Sequence, residues 1–325
     1  MGSKIAEMKK AELHCHIEGA ARPALAMAQA RRYGENISDI VQGDGYVWSD
    51  FTGFLRCYDR VARLFKTRED YTRLAEAYLR DLAEQNCIYS EIFISTDHAI
   101  RAGLDPFEYI EGLADGIQTA RTEHGIECRM IATGVRHEGP ESVLQAAKLA
   151  ADNPHPLITG WGMAGDERVY EPGDFAKAFD IARDAGLGIT VHAGEFCGPD
   201  RIRETLECLR PARLGHGVRA IEDSALVNRI VEAEIVLEVC PGSNVALGVY
   251  ANWAAHPAKA LYDQGVLITL NSDDPPHFNT SIGHEYESAS ARLGFDAEML
   301  RACTRNAISA AFCADDVKVK LRSAI

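Results

Sequence analysis

The sequence predicts an α/β chain folded as a (β/α)8 barrel, the TIM-barrel class, with a helical insertion after the first strand. Short β-rich segments alternate with longer amphipathic helical patterns, and eight segments of the β-rich kind can be distinguished. Eight β/α repeats are the number that closes a parallel barrel. The predicted strands are Ala11–His16, Tyr89–Ser95, Glu127–Gly134, Ile158–Gly165, Gly188–Ala193, Arg213–Gly217, Ile235–Cys240 and Leu267–Ser272.

Helical patterns lie between most of these strands and after the last one. Gly125, Gly186 and Gly265 mark helix ends, because glycine readily adopts the left-handed conformation that stops a helix. The predicted helices are Glu69–Asn86, Pro106–Glu123, Glu141–Ala151, Asp174–Asp184, Pro199–Leu209, Glu222–Ala233, His256–Gln264 and Asp296–Phe312.

A doubly wound sheet is the alternative architecture, but such a sheet normally has a glycine-rich phosphate-binding turn after its first strand. Here that place holds His14-Cys15-His16, so the barrel is favoured. The connection between the first two strands is far too long for a βα loop. We expect residues from about 19 to 87 to contain helices of their own and to cover the barrel mouth as a lid, within a single domain spanning 1–325.

Composition narrows the class of protein and its partners. The 325 residues would allow two domains, although α/β barrels often exceed 200 residues as one unit. No apolar run approaches the roughly 20 residues of a membrane helix. The formal net charge of −14 opposes binding to nucleic acid or to anionic membranes, which depends on clustered cationic side chains. A neutral or cationic small-molecule substrate fits better, and the oligomeric state stays open.

The nine cysteines are scattered and include no Cys-x-x-Cys pair, which argues against a disulfide framework and against a structural zinc knuckle. We expect most of them to be reduced core residues. The first residues show neither the apolar segment of a signal peptide nor a myristoylation pattern. A cytoplasmic location is therefore expected.

The most informative pattern is a pair of histidines at the end of the first predicted strand. His14 and His16 are two residues apart, and alternate residues of a strand point to the same face. One strand end therefore presents two imidazoles to the same point. A catalytic zinc site needs three or four nitrogen or oxygen ligands that converge on the ion, and this pair would supply two.

Further candidate ligands fall at the ends of three other predicted strands. His192 closes strand five, His216 closes strand six, and Asp273 and Asp274 close strand eight. Active sites of such barrels lie at the C-terminal ends of the strands. A single strand histidine is more often a structural residue, but scattered core histidines would show no preference for this end. Because neighbouring strand residues point apart, one aspartate would bind metal and the other would face the substrate.

The predicted donor set favours one zinc ion per chain. A two-metal barrel usually needs a bridging group, often a modified lysine, at the end of strand four, and Ile158–Gly165 has no lysine. Three histidines and one aspartate with an open position for water suit zinc, whereas calcium and magnesium prefer shells made only of oxygen.

Six short motifs together resemble the adenosine deaminase family. Their order and spacing agree from about residue 9 to the C-terminal helix. Any one of them is a weak signal, but six in order are a strong one. They are His14-Cys15-His16-Ile17-Glu18-Gly19, Met163-Ala164-Gly165-Asp166-Glu167, His192-Ala193-Gly194-Glu195, Gly215-His216-Gly217, Cys240-Pro241-Gly242-Ser243-Asn244 and Ser272-Asp273-Asp274-Pro275.

The resemblance implies a barrel enzyme that hydrolyses the 6-amino group of adenosine and 2′-deoxyadenosine, releasing ammonia and the inosine product. It implies that Glu195 donates a proton to purine N1 and that His216 orients the zinc-bound hydroxide. Asp274 would contact N7, and the Gly165 backbone would contact N3. The implied zinc ligands are His14, His16, His192 and Asp273. The residues expected to contact substrate are His16, Glu18, Gly165 and Asp274.

Two residues depart from the adenosine-specific members of the family. These members commonly have Asp at the position of Glu18, where it helps to hold the ribose 5′-hydroxyl, whereas Glu is common in adenine-specific relatives. The family also usually has Asp at the position of Gly162. The additional methylene of Glu18 moves its carboxylate by more than about 1 Å, enough to change a hydrogen bond to the sugar.

The remaining segments give opposing indications of the substrate. The spacing of Phe93, His98 and Arg101 is similar to that of a segment in adenine deaminases, although an Asp-Pro-Gln string between them is missing. Segments Phe278–Ile282 and His284–Tyr286 look more like the nucleoside enzymes. Adenosine is therefore favoured over adenine, with adenine or another 6-aminopurine as the alternative.

From sequence alone, some of these residues could also have ordinary structural roles. Glu195 could be a surface carboxylate at the start of the next helix, and Gly165 could be an ordinary turn glycine. Burial would raise the pKa of Glu195, whereas nearby zinc would lower it. The chain could also be a zinc amidohydrolase acting on another amine or cyclic amide, or a non-catalytic purine- or metal-binding barrel. A pure binder would need neither Glu195 nor His216.

Overall fold

The computed structural model describes residues 2–325 and contains eight parallel strands in a nearly closed barrel. The strands are β1 (Lys10–His16), β2 (Cys87–Ile94), β3 (Glu127–Val135), β4 (Ile158–Ala164), β5 (Gly188–Ala193), β6 (Arg213–His216), β7 (Val236–Val239) and β8 (Ile268–Leu270). Each strand pairs with its neighbour in sequence, in the order β1 to β8. The prediction of a (β/α)8 barrel is confirmed.

The barrel closes between β8 and β1 with little regular strand pairing. β8 ends at Leu270, and the two strands are joined by an isolated parallel bridge between Cys15 and Asp273. The Asn271 side chain also accepts a hydrogen bond from the Leu13 N–H at 2.9 Å. This seam brings Asp273 beside the end of β1.

Helices surround the barrel and follow its strands. The α-helices are Gly2–Ala6, Pro23–Tyr33, Phe51–Ala62, Arg68–Glu84, Thr96–Arg101, Pro106–His124, Pro140–Asp152, Ala176–Asp184, Pro199–Cys208, Ser224–Glu232, Pro241–Ala246, Ala258–Asp263, Ile282–Ser288, Ala297–Ala310 and Asp315–Arg322. Short 3-10 segments are Glu18–Ala20, Arg136–Glu138, Pro172–Phe175, Val218–Glu222 and Trp253–Ala255, and a π-helical turn is Ala289–Leu293. A hairpin pairs Val41–Gln42 with Gly45–Tyr46.

Local sequence explains where the helices begin and end. Thr67 and Asp70 form a capping box at the start of Arg68–Glu84, because each side chain accepts the other residue's backbone N–H. Gly125 ends Pro106–His124 in the left-handed conformation, with φ +71°, as the sequence predicted. The last helix, Asp315–Arg322, lies beyond the predicted C-terminal helix and was not anticipated.

The long connection after β1 contains two structurally different parts. Helix Phe51–Ala62 lies over the barrel mouth, where its Phe54 and Tyr58 side chains line the central pocket. Helix Arg68–Glu84 instead packs against Pro106–His124 in the outer helical layer. The structure therefore places the covering segment in the first part of the predicted insertion, while the second part is the barrel's own first helix.

The opposite end of the barrel is covered by Phe312. Its ring centroid lies 3.6 Å from the guanidinium carbon of Arg213, the first residue of β6. A Cβ atom on Gly188 would lie 2.3 Å from this ring, so glycine is needed where the ring packs. Arg213 also forms a buried ion pair with Glu91 at 2.6 Å. Phe312 therefore shields a buried ion pair from water.

Two further findings concern membranes and thiols. Within residues 2–325, no helix combines the length and the apolar composition that crossing a membrane requires. The cysteines are free thiols, and those of the barrel strands are buried.

Truncating Phe312 should destabilise the barrel. Phe312→Ala is expected to lower the free energy of unfolding by about 2–3 kcal/mol, because it removes ring contacts and admits water to the Arg213–Glu91 pair. Urea unfolding would measure the change, with Phe312→Leu as a control that keeps most of the apolar volume. Equal stability of Phe312→Ala and the unmodified chain would contradict this account.

Candidate metal and active site

Four side chains at the C-terminal end of the barrel converge on one point. His14 and His16 come from β1, His192 from β5, and Asp273 from the seam between β8 and β1, and their ligand atoms lie within 4.8 Å of one another. The Nε2 atoms of His16 and His192 are 3.2 Å apart. Asp273 Oδ1 lies 3.5 Å from His14 Nε2 and 3.4 Å from His16 Nε2.

These separations fit a small divalent cation. Ligand atoms about 2.0–2.1 Å from a tetrahedral ion lie about 3.3–3.4 Å from one another. His14 Nε2 is buried and has no hydrogen-bond partner, which is a costly arrangement unless something binds it. Three imidazole nitrogens and one carboxylate oxygen form a donor set typical of transition-metal ions. The residues present therefore fit a metal ion.

A buried carboxylate orients the first ligand. Glu238 Oε2 accepts a hydrogen bond from His14 Nδ1 at 2.8 Å, which directs His14 Nε2 toward the convergence point. The other oxygen of Glu238 accepts from Arg213 Nε at 2.6 Å and from Thr190 Oγ1 at 2.9 Å. Burial would raise the pKa of Glu238, but the Arg213 charge and the His14 hydrogen bond hold it below its usual value.

The protonation of His14 couples this cluster to metal binding. Burial lowers the pKa of His14, but the neighbouring Asp273 and Glu238 carboxylates outweigh burial and raise it to about 9. Because a metal ligand must offer a lone pair, a cation that binds His14 displaces a proton from Nε2.

Asp273 is held in an unusual backbone conformation. Its φ is +64°, in the left-handed region that few non-glycine residues adopt. Ser243 Oγ donates to Asp273 Oδ2 at 2.7 Å, which leaves Oδ1 facing the histidines. β8 ends at Leu270, so Asp273 and Asp274 are not neighbours on a strand, and both side chains line the same pocket. That one of them binds metal while the other faces the substrate stays a prediction.

A second donor set fits less well. His14, His216, Cys240 and Asp273 also lie close enough together to share an ion. The Cys240 thiol, however, donates to the Glu238 carbonyl oxygen at 3.5 Å, and burial raises its pKa well above the usual value. Metals bind the thiolate form, so the first set is the better site.

Glu195 and His216 lie beside the metal ligands. Glu195 is 5% exposed, and its Oε2 lies 3.7 Å from His216 Nε2. Burial, followed by the neighbouring charges of Asp273 and Glu167, raises the pKa of Glu195 well above its usual value. Both effects favour the protonated carboxyl. Because Glu195 is buried, the interpretation of it as a surface carboxylate does not apply.

Glu167 holds the loop that carries Glu195, although it was not among the predicted site residues. Its buried carboxylate accepts four backbone N–H groups, from Gly194 at 2.5 Å, Glu195 at 3.1 Å, Phe196 at 2.9 Å and Cys197 at 3.0 Å. A single carboxylate thus fixes the turn after β5. The motif contained Glu167, but no sequence signal identified its backbone partners.

The predicted site residues lie in one pocket under helix Phe51–Ala62. His14 lies beneath the pocket and is fully buried, and the aromatic side chains of the helix form the upper wall. The predicted residues that line the pocket are His16, Glu18, Gly165, His192, Glu195, His216, Asp273 and Asp274.

Glu18 lies in a buried polar cluster with two tyrosines that were not predicted as site residues. Tyr109 donates its hydroxyl to Glu18 Oε1 at 2.8 Å, and Tyr58 donates to Oε2 at 3.1 Å. Burial raises the pKa of Glu18 to about 7, against the opposing effect of these hydrogen bonds. Tyr58 comes from the covering helix, so Glu18 ties that helix to the site.

Gly165 and Asp274 are constrained in different ways, one through its backbone and the other through its side chain. Gly165 has φ +102°, and a Cβ atom there would lie 2.6 Å from His137 Nδ1, so only glycine fits. Asp274 Oδ1 is buried without a hydrogen-bond partner. Burial and the Asp273 charge raise the pKa of Asp274 well above its usual value, so Asp274 can act as a hydrogen-bond donor.

Gly162 departs from the family pattern and Phe93 suggests an adenine enzyme, and the two pack together beside His16. A Cβ atom on Gly162 would lie 2.9 Å from the Phe93 ring, which leaves no room for an aspartate. Phe93 in turn stacks on the His16 imidazole at 4.9 Å. His98 lines the pocket, whereas Arg101 pairs with Glu138 away from it.

The two segments that suggested a nucleoside enzyme, Phe278–Ile282 and His284–Tyr286, contribute little to the pocket. Phe278 lines it and packs on Phe54 with ring centroids 5.0 Å apart. Glu285 instead accepts the Gly242 N–H at 3.1 Å, and Tyr286 bonds to Thr304 at 2.9 Å in the core. Most of these two segments therefore supports the fold rather than selecting the substrate.

Comparisons with known proteins agree with this geometry. Residues 9–325 match the family model described as adenosine deaminase. An adenine deaminase from Chelativorans sp. (strain BNC1) is 57% identical over 312 residues, covering 96% of both chains.

Solved structures give the same result. The crystal structure of adenine deaminase from Arthrobacter aurescens superimposes with a TM-score of 0.90 and 29% identity, over 97% of each chain. An amidohydrolase from Burkhoderia ambifaria, solved with bound Zn, gives a TM-score of 0.91 and 27% identity, over 99% of this chain and 91% of that one. Since the match to the family model extends over nearly the whole sequence, the chain belongs to the adenosine deaminase family.

Proposed function

We propose that this chain binds one zinc ion and catalyses the hydrolytic deamination of adenine to hypoxanthine and ammonia. The observation that carries the proposal is the placement of Glu195 and His216 in the same enclosed pocket as the His14, His16, His192 and Asp273 cluster. The similarity to proteins named adenine deaminase supports adenine as the substrate. Adenine thus replaces adenosine, which the sequence motifs favoured.

Zinc suits the donor set, and a related barrel was solved with bound Zn. When bound, zinc would supply Lewis-acid activation of the attacking water. His14, His16, His192 and Asp273 would hold it, and Glu238 and Ser243 orient two of these ligands through hydrogen bonds at 2.8 and 2.7 Å.

The pocket offers complementary groups for each polar edge of adenine. Protonated Glu195 donates to ring N1 and protonated Asp274 donates to N7, consistent with the raised pKa of both carboxyls. The Gly165 N–H donates to N3. With these three nitrogens accepting, adenine carries its remaining ring proton on N9, and Glu18 accepts that N–H. His16 contributes its imidazole edge to the wall of the same pocket.

Proton movement follows from these positions. Glu195 transfers its proton to N1, which makes C6 more electrophilic, while His216 orients the attacking water at C6 through Nε2. The water oxygen bonds to C6, and one of its protons returns to Glu195. The C6–N6 bond then breaks as the second water proton passes to the amino nitrogen, so ammonia leaves and C6 keeps the oxygen as the carbonyl of hypoxanthine. The enclosing aromatic side chains of helix Phe51–Ala62 exclude other water from the reaction.

Glu18 provides the selection against nucleosides. In adenosine the N9–H is replaced by the bond to ribose, so Glu18 would lose its donor and its carboxylate would face the sugar. Tyr58 and Tyr109 hold the carboxylate in place and limit its retreat. A nucleotide fits no better, because the described residues that line the pocket include no lysine or arginine to receive a phosphate.

Asp273 should be required for metal retention. Asp273→Ala removes one of four ligands, and elemental analysis should find zinc well below one ion per chain. Asp274→Asn is the matched control, because Asp274 is adjacent in sequence but is not part of the ligand cluster, and it should retain about one ion. Full zinc content in Asp273→Ala would remove Asp273 from the ligand set.

The zinc-loaded protein should prefer adenine to nucleosides. We expect kcat/KM for adenine to exceed that for adenosine and 2′-deoxyadenosine by at least about 10²-fold, because a buried group left without its partner discriminates strongly. Ultraviolet absorbance follows the deamination of each compound. Glu18→Asp should reduce this ratio, and Glu108→Asp on the exposed helix surface should not. Faster turnover of adenosine than of adenine would contradict the proposal and favour the nucleoside as substrate.

Glu195→Gln should separate binding from chemistry. The amide preserves shape but cannot transfer the proton, so kcat for adenine should fall by about 10²–10⁴-fold while zinc content stays unchanged. Glu207→Gln, on an exposed helix, serves as the control. Wild-type turnover in Glu195→Gln would show that the proton comes from elsewhere.

A further inference from the structure

We propose that His256 and Asn244 are positioning residues that set the tautomer of His216, with the ring proton on Nε2. This inference deepens the proposed function and rests on it, because it assigns a hydrogen-bond direction to His216 at the reaction site. The observation that carries it is a continuous chain of hydrogen bonds that starts at a backbone N–H, whose direction is unambiguous. Neither His256 nor Asn244 lines the pocket.

The first step fixes the proton on His256. The Ala258 N–H donates to His256 Nδ1 at 3.2 Å. Because a backbone N–H can only donate, Nδ1 must carry a lone pair. Burial lowers the pKa of His256 to about 3, so the ring is neutral and its single proton lies on Nε2.

The second step fixes the orientation of an amide. His256 Nε2 lies 3.0 Å from Asn244 Oδ1 and donates to it. A reversed amide would place the Asn244 NH2 group against this N–H, with two donors facing each other and no acceptor. Asn244 therefore directs its NH2 group the other way, toward His216.

The third step transmits this direction to the active site. Asn244 Nδ2 lies 3.2 Å from His216 Nδ1 and donates to it, so the ring proton of neutral His216 lies on Nε2. Nε2 faces the pocket, 3.7 Å from Glu195 Oε2 and 3.9 Å from Asp273 Oδ2. His216 consequently presents a donor to an oxygen nucleophile there. The other tautomer would present a lone pair, which can accept a hydrogen bond from that nucleophile but cannot donate one to its oxygen.

The chain of hydrogen bonds is well protected from competing partners. Asn244 is fully buried, His216 is 1% exposed and His256 is 5% exposed, so water cannot readily replace a missing link. Tyr250 packs its ring against His256 at 5.0 Å and holds the imidazole plane. A buried network of this kind keeps one arrangement only while each member has its partner.

Asn244→Asp tests the direction of the hydrogen bond from Asn244 to His216, because the two side chains have almost the same shape. An aspartate would accept from both neighbouring imidazoles and would draw the His216 proton to Nδ1. We expect kcat for adenine to fall by at least about 10-fold, while KM and zinc content change less than about threefold, because the altered group acts on the transition state. If the His216 proton moves to Nδ1 in this variant and kcat is unchanged, the proposal is overturned.

His256 offers a second, conservative comparison. His256→Gln keeps an N–H donor that can reach Asn244 Oδ1, whereas His256→Leu has similar volume and no donor. Turnover should stay close to wild type in His256→Gln and fall in His256→Leu. Equal kcat values in these two variants would mean that His256 only fills space and would overturn its positioning role.

Nuclear magnetic resonance reads the tautomer without any substrate. Long-range nitrogen–proton correlation spectra of the full chain labelled with 15N-histidine distinguish protonated from unprotonated ring nitrogens, and His216→Gln assigns the His216 signals. We expect His216 to be protonated at Nε2 in the unmodified chain. Protonation at Nδ1 would overturn the proposal. This result is independent of which aminopurine is deaminated, so failure of the proposed function would be distinguishable.

Discussion

The buried carboxylate of Glu238 is the group on which the rest of the site depends. It joins the Arg213 guanidinium at 2.6 Å to the His14 imidazole at 2.8 Å. Arg213 is also paired with Glu91 and covered by Phe312 at the far end of the barrel. Removing any one partner would leave an uncompensated buried charge, which is far more costly than loss of a surface ion pair. The barrel interior is thus built to hold one histidine nitrogen in a defined direction.

The carboxyl groups in and around the site serve different purposes because their surroundings differ. Glu167 is surrounded by four backbone N–H groups and fixes a loop. Glu195 lacks such donors, and burial and neighbouring negative charges raise its pKa well above the usual value. Asp273 is stabilised as a carboxylate by His14, while adjacent Asp274 has its pKa raised by burial and by the Asp273 charge. Environment therefore favours the charged form of one carboxyl and the protonated form of its neighbours, as the proposed division between metal binding and proton donation requires.

Sequence predicted the parts of the site that local periodicity controls. His14 and His16 could be placed from strand alternation, and His192 from the end of β5, because the C-terminal strand ends of a barrel meet. The amide partners of Glu167 and the tyrosines around Glu18 depend on contacts between distant segments, which no local pattern specifies. Adenine, the substrate proposed here, was only the alternative at that point, for a related reason. The segments that resembled nucleoside enzymes are mostly structural, although Phe278 lines the pocket, as Glu18 does.

The residues proposed to bind the metal through their side chains also help to close the barrel through their backbones. At the seam, the His16 N–H donates to the Asp273 carbonyl at 3.0 Å, and the Asp273 N–H donates to the His14 carbonyl at 3.1 Å. Three of the four proposed ligand residues therefore also join the end of β8 to β1. A cation held by their side chains would pull together the strand ends that their backbones already connect. Since binding to the folded state alone stabilises that state, metal affinity and closure of the barrel are linked thermodynamically.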